Sequence, residues 1–243
     1  MNRKIIVGFL FFFMATFTFA CNGDDDDNDP TRKLSPKELW ERAETNDTAE
    51  AYEAYLTAYP SGSRAEEAER RLRQIWAQRV ENFSASDMKQ LRAVIETEYG
   101  TIKFKFIPDE APNTCRNFIK LAESHFYDGL TFFRAIDDFI IQTGCPFNTG
   151  KGNPGYTIDA ELSSRMHKAG TVAMARLPDE LHSAGSQFYI CLTPQPQLDN
   201  DYTVFGELVE GMKVAQTIGD LETDDQDKPL DPPVIKKVYI EGL

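Results

Sequence analysis

The spacing of apolar residues changes along the chain, and this change separates two kinds of secondary structure. Over residues 35 to about 78, apolar side chains recur every three or four positions, which is typical of amphipathic helices. In "AVIETEYGTIKFKFIP" they alternate instead, so that Ile102, Phe104 and Phe106 fall on one face and lysines on the other. A half-buried strand has this two-residue period. The sequence therefore predicts a helical segment followed by a β-hairpin with Gly100 in its turn.

Short strand-like runs separated by turn residues occupy the rest of the chain. The runs are "GLTFFRAI", "FIIQTG", "GTVAMAR", "GSQFYICL", "YTVFGELV" and "PVIKKVYIEGL", and helices are predicted in "DEAPNTCRNFIKLAES" and "GMKVAQTIGDL". Many short strands with two helices indicate a closed β-barrel that is capped by those helices. The 243 residues, 41% of them hydrophobic, suffice for one such core and a smaller second unit.

The helical segment, residues 35–80, resembles a single tetratricopeptide-like hairpin. Ser35 is the predicted N-cap of its first helix, with Pro36 in the first turn. Ser63 and Glu66 form a predicted capping box for the last helix, and two antiparallel helices follow from this arrangement. Two roles remain open for its large aromatic residues: packing the hairpin on itself and on the next unit, or lining a partner groove. These residues are Trp40, Tyr52, Tyr55 and Trp76.

The N-terminus has the layout of a secretory signal peptide, residues 1–20. Arg3 and Lys4 precede the apolar run "IIVGFLFFFMATFTFA", which ends in Ala20 directly before Cys21. A membrane-spanning helix is the alternative, but the run is short for a bilayer core and an acidic segment follows it. Cleavage is therefore the preferred interpretation.

The junction "TFAC" resembles a bacterial lipoprotein box, which implies that Cys21 becomes the lipidated first residue of the mature chain. Acyl chains would hold the protein at a membrane, since each buried methylene contributes about 0.8 kcal/mol. Residues 21–34, with the run "DDDD", form a predicted acidic tether. The expected location is the cell envelope, on the outer membrane, facing either the periplasm or the exterior.

Charge and cysteine usage exclude several other classes of protein. The formal net charge of −13 disfavours a nucleic-acid partner, because phosphate binding requires clustered Lys and Arg. The cysteines and the three histidines show no metal-binding spacing, so neither a metal nor a cofactor is predicted. A cysteine hydrolase that uses Cys145 with His167 or His182 is a minor alternative.

The segment "FFRAIDDFIIQTG" places two polar side chains, Arg134 and Gln142, in an apolar run. Burying such groups without partners costs several kcal/mol, so their presence needs a reason. A structural reason would be an ion pair of Arg134 with Asp137, Asp138 or Glu161. A chemical reason would be a catalytic site.

Several sequence blocks resemble the cyclophilin-type peptidyl-prolyl isomerases. They are "APNTCRNFIKLAESHFYDGLTFFRAIDDFIIQTGCP", "GKGNPGYTIDAEL", "GTVAMAR", "HSAGSQFYI" and "LDNDYTVFGELVEGM", in the order typical of that family. The resemblance implies an eight-stranded antiparallel barrel with two capping helices over residues 89–243. It also implies rotation about X-Pro peptide bonds as the reaction, with proline-containing polypeptides as substrates.

The resemblance also implies roles for individual residues. Arg134 corresponds to the family's catalytic arginine, and Gln142 corresponds to the glutamine that orients the substrate carbonyl. The walls of the proline pocket are expected at Phe139, Met174, Tyr189 and Leu198. Ala175 and Gln187 are expected to hold the residue before proline, and Tyr202, which stands where many members have histidine, is a further expected site residue.

Two other positions depart from the common pattern of the family. Gln197 replaces a tryptophan, which predicts weak binding of cyclosporin-type inhibitors. Arg176 replaces an asparagine and is expected, with the loop "LPDELHSAG", to tune which residue is accepted beside proline.

The sequence thus favours an envelope-anchored prolyl isomerase that assists the folding of exported proteins. The alternative is a binding module that captures a proline-containing loop with little turnover.

Overall fold

The computed structural model describes residues 33–243, which contain six helices and eight strands. The helices span Pro36–Asn46 (α1), Ala49–Ala58 (α2), Ala65–Glu81 (α3), Ala85–Gln90 (α4), Pro112–Glu123 (α5) and Met212–Gly219 (α6). The strands span Arg92–Thr97 (β1), Gly100–Phe106 (β2), Arg134–Ile136 (β3), Ile140–Thr143 (β4), Thr171–Met174 (β5), Phe188–Cys191 (β6), Val204–Glu210 (β7) and Ile235–Glu241 (β8). The predicted signal peptide and Cys21 lie outside the described residues. Within these residues, no helix is long and apolar enough to cross a bilayer.

The N-terminal helical segment contains three helices, whereas the sequence predicted two. Asp47 adopts a left-handed conformation that ends α1, and the Thr48 side chain then accepts a hydrogen bond from Ala51 N–H and starts α2. The predicted cap of α1 is confirmed, because Ser35 forms a capping box with Glu38. The predicted capping box at Ser63 is wrong. The turn before α3 extends one residue further, so Arg64 takes the N-cap position, without a side-chain cap.

The helical segment packs directly on the β-sheet domain. Its four large aromatic residues are buried and belong to the same apolar cluster as the interior of the sheet, which agrees with the first of the two roles that the sequence left open for them. Helix α3 packs against α5, and Arg116 of α5 donates a hydrogen bond to the carbonyl oxygen of Phe83 at 2.9 Å. The division of the chain into units at 35–80 and 89–243 stays a prediction.

The eight strands form one antiparallel sheet with the order β3-β4-β6-β5-β7-β2-β1-β8. The edge strands β3 and β8 meet through the segments that precede them. Thr131 and Val234 form a single β-bridge, and Phe132 N–H donates to the carbonyl oxygen of Pro233 at 2.9 Å. These few bonds bring the edges of the curled sheet together, so the predicted mainly β architecture with its capping helices α5 and α6 is confirmed.

Phe118 of α5 is the centre of the aromatic core inside the sheet. Its ring lies 5.1 Å from Phe104, 5.0 Å from Tyr127, 5.3 Å from Phe188 and 5.6 Å from Phe205, measured between ring centroids. Aromatic rings at these separations contribute beyond their buried area. The helix α5 is therefore locked into the sheet by a side chain that contacts strands β2, β6 and β7.

Helix α4 begins with a capping box and supplies a test of capping in this fold. Ser84 Oγ accepts from Asp87 N–H, and Asp87 Oδ2 accepts from Ser84 N–H at 2.9 Å. We expect Ser84→Ala to lower the free energy of unfolding by about 1 kcal/mol, because one of the orphan N–H groups loses its acceptor. Ser63→Ala, at the position with no cap, should change it by less than about 0.5 kcal/mol.

Urea unfolding of the two variants, analysed by linear extrapolation, provides the comparison. Equal losses of stability in Ser84→Ala and Ser63→Ala would show that the assignment of the two caps is incorrect.

Candidate active site

One row of residues crosses four adjacent strands on the face of the sheet that points away from the aromatic core. Arg134 of β3 pairs with Gln142 of β4, Gln142 pairs with Tyr189 of β6, and Tyr189 pairs with Ala173 of β5. Directly paired residues of antiparallel strands lie side by side on the same face. The register therefore places the guanidinium, the amide and the phenol next to one another.

This row borders a cavity of about 220 Å³ whose floor is apolar. Ile140 and Tyr189, which are 4% and 3% exposed, form its floor, and half-buried side chains form its rim. The residues that line the cavity are Arg134, Phe139, Ile140, Gln142, Ala175, Arg176, Pro178, Tyr189, Leu198 and Tyr202. Except for Met174 and Gln187, every residue that the sequence placed in the site is among them.

Gln187 lies beside the cavity and connects it to a neighbouring loop. Its Oε1 accepts from Gln142 Nε2 at 3.1 Å, and its own Nε2 donates to the carbonyl oxygens of Gly150 and Gly152 at 2.9 and 2.8 Å. Gln187 and Gln142 both line an adjacent cavity of about 170 Å³. The chain of amide hydrogen bonds fixes how the Gln142 side chain is oriented.

The prediction that Met174 forms a wall of the cavity is wrong. Met174 is 2% exposed and belongs to the main core, on the opposite face of β5 from Ala173 and Ala175. Side chains alternate between the two faces of a strand, so Ala175 and Met174 cannot both face the cavity. Ile140 takes the place that was expected of Met174, and the same alternation from Gln142 would have predicted it.

Arg134 is held by a carboxylate that sequence reasoning missed. Its Nε and Nη2 both donate to Asp227 Oδ2 at 3.2 Å. Glu161 was one of the three ion-pair partners that the sequence suggested for Arg134. Its carboxylate accepts hydrogen bonds from the backbone of Asn113 and Thr114, at the start of α5. Within residues 33–243, the third guanidinium nitrogen, Nη1, makes no hydrogen bond to the protein and is free to donate to a ligand.

The rim opposite Arg134 is built around Tyr202. The Arg176 guanidinium lies 5.0 Å from the centre of the Tyr202 ring, and Arg176 also donates to the carbonyl oxygens of Asp201 and Pro178. Arg176 thereby joins Tyr202 to the loop that carries Pro178. Gln197 stands where many members of the family have tryptophan. Its Nε2 donates a hydrogen bond to Gln195 Oε1 at 2.6 Å, and the residue does not line the cavity.

The geometry gives no support to a cysteine hydrolase. The Sγ of Cys145 is buried and accepts a hydrogen bond from Gly152 N–H, while both ring nitrogens of His167 are bonded to Asp199 and Tyr189. His182 Nδ1 accepts from Ala160 N–H. Among the described residues, no three His, Cys, Asp or Glu side chains come together as metal ligands would.

Residues 92–240 match the family model of the cyclophilin type peptidyl-prolyl cis-trans isomerases. The chain belongs to this family. The matched range runs from the first residue of β1 into β8 and contains the whole cavity, so the cyclophilin fold and the site described above coincide.

Individual peptidyl-prolyl cis-trans isomerases share this similarity over most of their own length. A peptidyl-prolyl cis-trans isomerase of Synechococcus elongatus is 47% identical over 129 residues, which are 52% of this chain and 88% of the relative. Peptidyl-prolyl cis-trans isomerase B of Bacillus subtilis is 41% identical over 143 residues, 58% of this chain and 91% of the relative.

The fold is also similar to that of solved cyclophilin structures. A Cryptosporidium parvum cyclophilin type isomerase, crystallised in the presence of the dipeptide Ala-Pro, has a TM-score of 0.60 and 33% identity. The match covers 63% of this chain and 99% of that one. The predicted enzyme class, a cyclophilin-type peptidyl-prolyl cis-trans isomerase, is confirmed by the family match and these relatives.

The contact between Arg134 and Asp227 can be tested by changing its acidic partner. In Asp227→Ala, we expect kcat/KM for an X-Pro peptide to fall by up to about fivefold, because a partly exposed ion pair contributes up to about 1 kcal/mol. Asp227→Asn keeps an acceptor oxygen and should lose less. The measurement is the rate of cis-trans exchange by NMR over a range of peptide concentrations.

Asp225→Ala is the matched control for this experiment, because it removes one negative charge from the same loop at an exposed position. Its kcat/KM should equal that of the parent. Equal losses in Asp225→Ala and Asp227→Ala would mean that the loop acts through its charge and not by holding Arg134.

Proposed function

We propose that this cyclophilin isomerises X-Pro bonds in unfolded polypeptides at the cell envelope, with Arg134 as its catalytic residue. One observation carries the proposal for the chemistry: a guanidinium and an amide stand side by side at the rim of a cavity that has an apolar floor. The Ala-Pro dipeptide named with the Cryptosporidium relative supports a proline-containing peptide as the ligand of this groove.

The reaction requires no nucleophile and no proton transfer. Rotation about the X-Pro amide is slow because its partial double bond gives a barrier of about 18 to 20 kcal/mol. A thousandfold acceleration corresponds to lowering this barrier by about 4 kcal/mol. A few hydrogen bonds that form only with the twisted amide, together with a pocket that holds the proline ring, are sufficient for that.

Arg134 is suited to stabilise the twisted amide. As the X-Pro bond rotates, the nitrogen lone pair is no longer shared with the carbonyl group and becomes a hydrogen-bond acceptor. The guanidinium is anchored through Nε and Nη2 on Asp227, so its remaining N–H groups are presented to the substrate in a fixed direction. We assign Gln142 the role of binding the carbonyl oxygen of the residue before proline.

The cavity is suited to hold the proline ring while the rest of the amide rotates. Ile140 and Tyr189 provide an apolar floor, and Phe139, Leu198 and Tyr202 surround it. We assign the residue before proline to the surface formed by Ala175 and Gln187, between the two adjacent cavities.

A proline-binding module without turnover is the second candidate. It would need the apolar cavity and one or two amides, and it would not need Arg134. The two N–H bonds that fix the guanidinium on Asp227 favour catalysis, because binding alone gives no reason to hold a cation in one orientation.

The location of the enzyme is the other part of the proposal. Exported chains emerge unfolded, and in unfolded peptides roughly 10–30% of X-Pro bonds are cis. An isomerase that is anchored in the envelope through a lipidated Cys21, behind a cleaved signal peptide, would meet these substrates before they fold. The support is the sequence layout of residues 1–34, namely an apolar run, Cys21 and an acidic segment.

The role of Arg134 predicts a specific kinetic loss. With the fragment that lacks residues 1–21, Arg134→Ala should slow catalysed exchange of a short X-Pro peptide by about tenfold or more, equivalent to about 1.4 kcal/mol in the barrier. Arg73→Ala, at a partly exposed position of α3 that does not line the cavity, is the control and should match the parent. Exchange NMR measures both.

The outcome separates the two candidate functions. If the folded parent binds the peptide but does not accelerate its exchange, the binding module replaces the isomerase. If the parent is active and Arg134→Ala keeps its rate, the assignment of the catalytic residue is incorrect.

The anchor predicts how the protein fractionates. Cys21→Ser should move it from the membrane pellet to the soluble fraction after salt and carbonate washes, because no acyl chain can then be attached. Asn22→Ser, at the adjacent position, should stay in the pellet. A Cys21→Ser protein that still sediments with membranes would refute the lipid anchor.

A further inference from the structure

His167 is a buried titratable residue that the proposed reaction does not use. It lies just before β5, and its side chain is 0% exposed. A buried imidazole must satisfy its two ring nitrogens within the protein, and the partners it uses show what it holds in place.

Every polar group of His167 has a partner close to the cavity. Its backbone N–H and its Nδ1 both contact Asp199 Oδ1, at 2.7 and 3.0 Å, and its carbonyl oxygen accepts from Gln195 N–H at 2.7 Å. Its Nε2 lies 3.0 Å from the hydroxyl of Tyr189. The carboxylate of Asp199 can only accept a hydrogen bond, so Nδ1 carries a proton, and burial lowers the pKa of the imidazole, which favours the neutral ring. Nδ1–H then donates to the carboxylate of Asp199, and Nε2 accepts from the Tyr189 hydroxyl.

These partners belong to two different parts of the cavity. Tyr189 is its floor, and its ring is nearly parallel to that of His167, with an interplanar angle of 15°. Gln195 and Asp199 flank the single 3-10 turn Pro196–Leu198, which places Leu198 on the rim. The imidazole therefore connects the floor on β6 to the rim on a separate loop.

We propose that His167 is a positioning residue of this isomerase, which fixes Tyr189 and the Leu198 turn in the arrangement that holds the proline ring. The inference rests on the proposed function of the cavity as the proline site. An imidazole that only satisfied its own nitrogens would have no need of partners on two separate walls of one cavity. In turn, Nε2 of His167 accepts the hydrogen bond that the Tyr189 hydroxyl donates.

His167→Asn tests the connection, because its side-chain amide can still donate to Asp199 but cannot reach Tyr189. In the full chain, solubilised in mild detergent, we expect KM and the Kd of a proline-containing peptide to rise about fivefold, the equivalent of one buried hydrogen bond. We expect kcat to change by less than about twofold, since a pocket that holds the ring binds the ground state and the transition state alike. Tyr189→Phe, which removes only the hydroxyl, should give the same pattern.

The double variant His167→Asn/Tyr189→Phe should be no weaker than either single variant, because both remove the same hydrogen bond. His125→Asn is the matched control: His125 has a left-handed backbone, which Asn tolerates, and it lies outside the cavity. Its KM and Kd should be those of the parent. Long-range ¹H–¹⁵N NMR of the parent should show the proton of the His167 ring on Nδ1.

Three results would overturn the proposal: an unchanged Kd in folded His167→Asn and Tyr189→Phe, additive losses in the double variant, or a loss confined to kcat. The Kd readout separates this inference from the proposed function. If the parent shows no catalysis, the proposed reaction fails, while the fivefold rise in Kd remains the expected result for His167.

Discussion

The register of β3, β4, β6 and β5 is the constraint on which both the core and the site depend. Successive residues of these strands point alternately into the aromatic core and onto the outer face, so Ile141 and Phe188 pack inside while Gln142 and Tyr189 lie outside. A slip of one residue would exchange the two sets of side chains and disrupt the core and the site together. The aromatic cluster around Phe118 opposes such a slip from the inner face.

The polar groups of the site are held by segments that come from elsewhere in the chain. Asp227, in the loop before β8, anchors the guanidinium of Arg134, and the backbone carbonyl of Asp227 also accepts from Ala135 N–H. Gln187 orients Gln142 through its own bonds to the loop after β4. The strands thus place each side chain in the row, and the loops set the direction in which it points.

Most of the architecture and much of the site could be predicted from local pattern. The two-residue period identified the β1–β2 hairpin, and short runs bounded by turn residues identified the other strands. The resemblance of the segment around Arg134 to the cyclophilins identified the groove. The assignment of Met174 to the pocket failed because it followed the motif and disregarded alternation, which places Met174 opposite Ala175 and Ile140 beside Gln142. The capping box at Ser63 failed because an extra turn residue shifted the start of α3.

The sequence by itself determined most of the helices and strands, the apolar face of the β1–β2 hairpin, and the presence of sequence blocks that resemble those of a prolyl isomerase. Only the tertiary structure decided which carboxylate holds Arg134 and which residues His167 connects. Periodicity and capping are properties of neighbouring residues, and they can be detected in a short window of sequence. A contact such as that of Arg134 with Asp227 joins loops whose approach is set by the closing of the whole sheet, so no local pattern encodes it.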